Sequence, residues 1–196
     1  LPDPDMALQA QHAVDFIIET LLSEPAGSVT LCPTGPLTNV AVAMVRAPEI
    51  IPRIAEIVLM GGAAINPGNV TPAAEFNIYV DPHAADVVFR SGVPLVMMGL
   101  DVTHQVLVTT RRKEAIRTSG GRVSAAVADL LTFYCSFDLA KYRMEGGPLH
   151  DPCVIAYLID PTLFSLKHVH VVVEIASELT LGQTVADWWS VTDRAP

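Results

Sequence analysis

Cysteine is scarce and scattered. The three present, Cys32, Cys135 and Cys153, are odd in number and form no CxxC pair. That excludes a disulfide framework and a cysteine-built metal site, and they read as reduced, buried small residues of a cytoplasmic protein. Basic charge is short too, with 12 Lys and Arg against 21 Asp and Glu and a net charge of −9. Nucleic-acid binders lean on clustered cations, so that class is set aside and a neutral or small substrate is expected. Long apolar runs are missing: Leu95 to Leu100 and Val171 to Val173 fall far short of the roughly 20 residues of a membrane span. No signal peptide is visible at Leu1. No repeat, linker or low-complexity segment marks a second domain, so one domain is expected over residues 1–196.

What the chain has is apolar residues in short, ordered groups. They make up 51% of it, with a mean hydropathy of +0.40, in a length sufficient for one sizeable core. Helical spacing predicts helices over about 7–24, where Val14, Ile17, Ile18 and Leu21 recur, and from Leu37 to Val45, stopped before Pro48. Asp81 and Pro82 open a helix running through Phe89, with the proline in the first helical position. Residues 109–142 read as largely helical with a break at Gly120-Gly121, and Pro152 to Ile159 as a further helix. Strands are expected at Ser28–Cys32, Ile57–Met60, Pro94–Leu100 and His168–Glu174, the last partnered by Thr180–Trp188. Repeated βα units imply an α/β fold with a mainly parallel open sheet and helices on both faces.

In such sheets ligands sit beyond the carboxyl ends of the strands. Thr34, Gly61-Gly62 and Asp101 each follow a predicted strand, and the loop that leaves Gly62 carries Gly68-Asn69 and then Ala74-Glu75-Phe76-Asn77. In an extended segment Glu75 and Asn77 would point the same way. Two amides and an acid supply both donors and acceptors, which suits the vicinal hydroxyls of a sugar better than a phosphate. A capped turn with an exposed acid accounts for the same spacing, and the two stand level. Asp151 precedes a helix and by position is an N-cap. His150 is either a histidine packed at that helix start or an imidazole near pKa 6.5 able to protonate or hydrogen-bond a partner.

These residues carry a resemblance. The stretch GNVTPAAEFNIYVDP closely resembles the ribose-binding loop of the inosine-uridine preferring nucleoside hydrolases, and Met60-Gly61-Gly62-Ala63 fits the same family. So do Pro33-Thr34-Gly35-Pro36-Leu37-Thr38-Asn39, Leu149-His150-Asp151-Pro152, and Gly182-Gln183-Thr184 with Asp187, all in the family's order from Thr30 to about Asp187. The resemblance implies hydrolysis of the N-glycosidic bond of ribonucleosides to ribose and free base, in purine and pyrimidine salvage, by a homo-oligomer. It makes Asn69, Glu75, Asn77 and Met60 substrate contacts, with Asn77 toward the 2′ and 3′ side and Asn69 with Glu75 toward the 5′-hydroxyl. Thr34, through its backbone carbonyl, and Asp151 become ligands of a Ca²⁺ ion. His150 and Tyr142 would act on the leaving base.

One departure matters. The family opens with an aspartate-rich motif, DxDPGxDD, that supplies calcium ligands and the general base, and nothing here matches it. The chain is therefore expected to be a fragment incomplete at its N-terminus, itself inactive, of an enzyme active in its intact parent. The alternatives are a non-catalytic piece that binds ribonucleosides or serves structure, and more distantly an unrelated sugar-binding α/β protein.

Overall fold

The computed structural model describes residues 6–142 and 145–195, with the side chains of 137–142 left aside. The chain clusters into two compact units, one built from Gln9–Asp101 and Asp151 onward, the other mainly from Val102–His150.

The larger unit is organised by a three-stranded parallel sheet. Strands β1 (Val29–Leu31), β2 (Ile54–Met60) and β3 (Leu95–Met98) lie in that order. Leu31 pairs with Ile57, Ile57 with Leu95 and Met60 with Met98. From Ile57 to Met60 every residue of β2 is buried, as expected of a central parallel strand covered on its faces. Helices α1 (Ala13–Ser23), α2 (Thr38–Arg46), α3 (Phe76–Val80) and α4 (Pro82–Phe89) follow in sequence. Val14, Leu21, Val40, Met44, Ala85 and Val88 from three of them join Ile57 and Leu59 in one core cluster.

Local chemistry sets the helix ends. α1 is shorter than the predicted 7–24 because its cap is His12, whose Nδ1 accepts from the Val14 amide at 3.2 Å, while residues 6–11 are exposed and have no apolar face to bury. At its other end Arg53 donates to the carbonyls of Leu21 at 2.5 Å and Glu24 at 2.7 Å, satisfying acceptors that the last turn leaves unpaired. α4 starts as expected, with the Asp81 carboxylate accepting from Ala84 and Pro82 in the first turn. Strand β3 stops at Met98 rather than Leu100, since the Leu100 amide turns to the Gly62 carbonyl at 2.9 Å and begins a helical turn, α5 (Leu100–Thr103).

The smaller unit pairs β4 (Leu107–Val108) with β5 (Gly147–Pro148) in antiparallel fashion and packs α6 (Thr110–Thr118) against α7 (Arg122–Tyr142). The predicted break is present: Gly120 and Gly121 both take positive φ, +96° and +92°, where other residues are strained. Back in the larger unit, α8 (Pro152–Ile159) packs on β2, and β6 (Val171–Val173) pairs antiparallel with β7 (Thr184–Ala186), the partner the sequence predicts. Cys135 and Cys153 are buried thiols, but Cys32 is only partly covered, because it lies at the end of β1 where the sheet opens to a loop.

Candidate active site

Strand β2 ends in a loop held by side-chain oxygens from three distant segments. Glu75 Oε2 accepts from the Gly62 amide at 3.0 Å. Thr184 Oγ1 accepts from Ala63 N at 2.8 Å and donates to Ala63 O at 2.7 Å. Asp101 accepts from the amides of Ala64, Ile65 and Asn66 at 2.5, 2.8 and 2.8 Å. Each backbone polar group here thus finds a fixed partner in place of a strand neighbour. Gly62 itself has φ +75°, and a Cβ there would meet Met97 Sδ at 2.8 Å and Thr184 Cγ2 at 2.9 Å. Gly62→Ala should therefore cost about 2–4 kcal/mol, from the left-handed backbone and overpacking together. Denaturant unfolding checks this, and a loss under 1 kcal/mol would contradict it.

Glu75, Asn69 and Asn77 do come together around this loop, but not as an extended segment. Phe76 to Val80 is helical and Glu75 is its N-cap, with Oε2 accepting from Asn77 N at 2.9 Å and Ile78 N at 3.3 Å as well as from Gly62. The alternation expected of an extended chain is therefore wrong, because a carboxylate able to cap three amides stabilises a turn of helix at this point. The acid is not exposed either: Glu75 keeps 3% of its surface and Asn77 8%. Asn77 Nδ2 donates to the Met60 carbonyl at 3.0 Å and approaches Met60 Sδ at 3.4 Å, tying the loop to the end of β2. Asn69 Oδ1 accepts from Phe76 N at 2.9 Å. Burial pushes the Glu75 carboxyl above its usual range, the three amides pull it part of the way back, and the Asp151 charge adds to the push. Asp151 rises through desolvation alone, so mutual repulsion is the smaller influence on this pair.

Asp151 stands at the N-cap position of α8 but makes no capping hydrogen bond, having helical backbone angles itself (φ −58°, ψ −38°). Its carboxylate is not used up in holding the helix. Thr34 follows Pro33, whose carbonyl accepts from Met60 N at 2.9 Å and so lies beside the end of β2. As a pair of hard oxygen donors, the Asp151 carboxylate and the Thr34 carbonyl suit Ca²⁺, which takes roughly six to eight oxygens. Two are too few, and among the described residues no group of three or more His, Cys, Asp and Glu side chains is placed to hold a metal. The described donor set does not make a calcium site by itself.

In the smaller unit, His150 follows the short β4–β5 ladder, fixed by the Leu149 amide donating to the Val106 carbonyl at 2.8 Å. Its Nδ1 is 2.8 Å from Thr103 Oγ1, and the His104 ring meets it edge-on with centroids 5.8 Å apart. Desolvation, with the His104 charge adding to it, lowers the imidazole from 6.5 to about 4. His150 is then neutral at pH 7 and hydrogen-bonded through its ring, in place of an imidazole poised near 6.5. Tyr142 is the last residue of α7, and its side chain lies outside the described residues. From sequence Asp101 falls on the rim beyond the strands without a role, and Thr184 has none either. Their only signals were an acid directly after a strand and a threonine in the Gly182-Gln183-Thr184 block.

The whole of the chain, residues 1–196, matches the family model described as inosine-uridine preferring nucleoside hydrolase. The chain belongs to that family. It is 47% identical over 195 residues, 99% of its length, to the pyrimidine-specific ribonucleoside hydrolase RihA of Shewanella baltica, of which it covers 61%. It is 48% identical over 191 residues to an uncharacterized protein of Schizosaccharomyces pombe, covering 97% of this chain and 62% of that protein. Among solved structures, the purine-preferring ribonucleoside hydrolase from Gardnerella vaginalis superposes with a TM-score of 0.89 at 38% identity, over 99% of this chain and 61% of that one. The chain thus spans about three-fifths of the length of these relatives.

Proposed function

We propose that a full-length protein carrying this chain hydrolyses ribonucleosides, breaking the C1′–N bond, adding water oxygen to C1′ and returning a proton to the departing base. The observation that carries this is the buried Glu75–Asn77 pair at the end of β2, within a family match over residues 1–196. The hydrogen-bonding commitments of the pair leave the right polarity for a sugar. Glu75 Oε2 is occupied by three amides and Asn77 Nδ2 by Met60, so Glu75 Oε1 and Asn77 Oδ1 are the atoms that would accept from ribose hydroxyls. Glycosidic cleavage passes through an oxocarbenium-like state in which the sugar flattens and gains positive charge. A rigidly held carboxylate and amide oxygen favour that state over the ground state, without moving to do so.

Asn69 and Met60 complete the ribose contacts in this proposal, and His150 and Tyr142 act at the leaving base. Asp151 and the Thr34 carbonyl are the two oxygens this chain would give to a calcium ion, which when bound would make a water more acidic. No residue of this chain is assigned as the base that accepts the water proton. We favour pyrimidine nucleosides, since the pyrimidine-specific relative, at 47% identity, is more similar to this chain than the purine-preferring one at 38%. A cytoplasmic, homo-oligomeric enzyme fits the proposal. Among the described residues no helix is long and apolar enough to cross a membrane, and Ile155, Leu158 and Ile159 leave apolar surface on α8 that self-association could cover.

Ribose release from uridine and inosine tests the activity, in the full-length protein with Ca²⁺ in excess. The wild type should turn over uridine faster. Glu75→Gln and Asn77→Ala should each lower kcat by roughly 10²–10³, the loss seen when one preorganised group is removed. Asp151→Ala should fall further and demand more Ca²⁺. Variants that change only KM would remove Glu75 and Asn77 from the reaction centre.

A further inference from the structure

Thr103 ends α5 with no exposed surface, and its hydroxyl has a single hydrogen-bond partner among the described residues, His150 Nδ1 at 2.8 Å. A threonine hydroxyl carries one hydrogen and must donate it somewhere; buried and undonated, it forfeits the water it left behind. Among the described residues only Nδ1 is there to take it. A nitrogen that accepts cannot hold a proton, so the ring hydrogen of the neutral imidazole belongs on Nε2. We infer that Thr103 is a positioning residue that fixes His150 as the Nε2–H tautomer and aims that N–H at the leaving base.

The rest of the surroundings fit. The β4–β5 ladder and the Leu149–Val106 bond hold the His150 backbone, and the His104 ring closes one side, so the hydroxyl sets the remaining freedom, rotation of the ring. A neutral Nε2–H donates a hydrogen bond to a base nitrogen or oxygen as charge builds there during bond cleavage; flipped or in the other tautomer, the ring would offer a lone pair and repel it.

The tautomer rests on geometry alone; its use at the leaving base rests on the proposed hydrolase activity, and the two are tested separately. Ring ¹⁵N spectra of His150, assigned by difference from His150→Gln, should show a protonated Nε2 and a bare Nδ1 in the wild type and in Thr103→Ser. Thr103→Val should show a mixture. A protonated Nδ1 in the wild type, or a spectrum untouched by valine, overturns the inference. In the full-length enzyme Thr103→Val should lower kcat on uridine about tenfold or more, with serine restoring it. On 4-nitrophenyl riboside, whose leaving group needs no donor, the valine variant should match the wild type. An equal loss on both substrates would mean that Thr103 merely supports the fold and would overturn the positioning role. A wild type that releases no ribose from any nucleoside would sink the proposed activity, while the ring spectra would still decide the tautomer.

Discussion

Glu75→Ala should be among the most damaging single substitutions in this chain, for folding before catalysis. One carboxylate oxygen accepts from three backbone amides, Gly62, Asn77 and Ile78, inside a site that leaves Glu75 only 3% exposed. Alanine removes the N-cap of α3 and the tie between that helix and the end of β2 together. Each buried amide left without an acceptor costs about 1–3 kcal/mol, and a lost cap typically about 1 kcal/mol. Water entering the space left by the side chain would recover some of this, so the expected loss is about 3–5 kcal/mol, not the full sum. Glu75→Gln keeps an oxygen for the amides and should lose about 1–2 kcal/mol, the difference between a charge-assisted and a neutral acceptor. Urea unfolding of the three proteins separates these outcomes. If alanine costs no more than glutamine, the three amide bonds do not hold the loop as described. The same glutamine variant, still folded, is the proper probe of ribose binding, because its loss of activity cannot be laid to unfolding.

Much of this arrangement is legible in the residues. The βα alternation, the proline-started helices at Pro82 and Pro152, the glycine break at 120–121 and the β6–β7 pairing all rest on local signals that tertiary packing had no reason to override. The site is legible in its membership but not in its geometry. Glu75 and Asn77 stand two apart, which suits an extended chain as well as a cap followed by a helix. Nothing local decides between them, because the deciding partner, the Gly62 amide, is 13 residues away. Thr184 is hidden for the same reason, reaching Ala63 across 121 residues. His150 shows a third kind of limit. Its identity suggests a titrating imidazole, yet its ionisation is set by desolvation and by a neighbouring histidine, neither of which a sequence displays.

That histidine should be visible in the pH dependence of stability. Native His150 takes up a proton near pH 4, while in the unfolded chain it does so near 6.5. Above pH 6.5 neither state carries the proton and the residue adds no pH dependence. As pH falls from 6.5 toward 4 the unfolded chain gains a proton that the native chain refuses, so stability is lost through that window. Glu75 and Asp151 act in the opposite sense. Their carboxyls are raised in the native state, so they take up protons there before they do in the unfolded chain, and acid relieves their burial. A raw stability profile therefore mixes two trends that partly cancel. The difference between wild type and His150→Gln isolates the histidine, since glutamine does not titrate and both carboxyls are common to the two proteins. Relative to the variant, the wild type should lose about 2 kcal/mol between pH 7.5 and 4.5, allowing for the water that still reaches a partly buried ring. Denaturant midpoints at half-unit steps of pH would measure it. A difference that stays flat would mean that His150 titrates normally in the folded protein, with its ring in water and not held against Thr103. A difference of the opposite sign would mean that the native state stabilises an imidazolium, which would make His150 an acid toward the leaving base in place of a neutral donor.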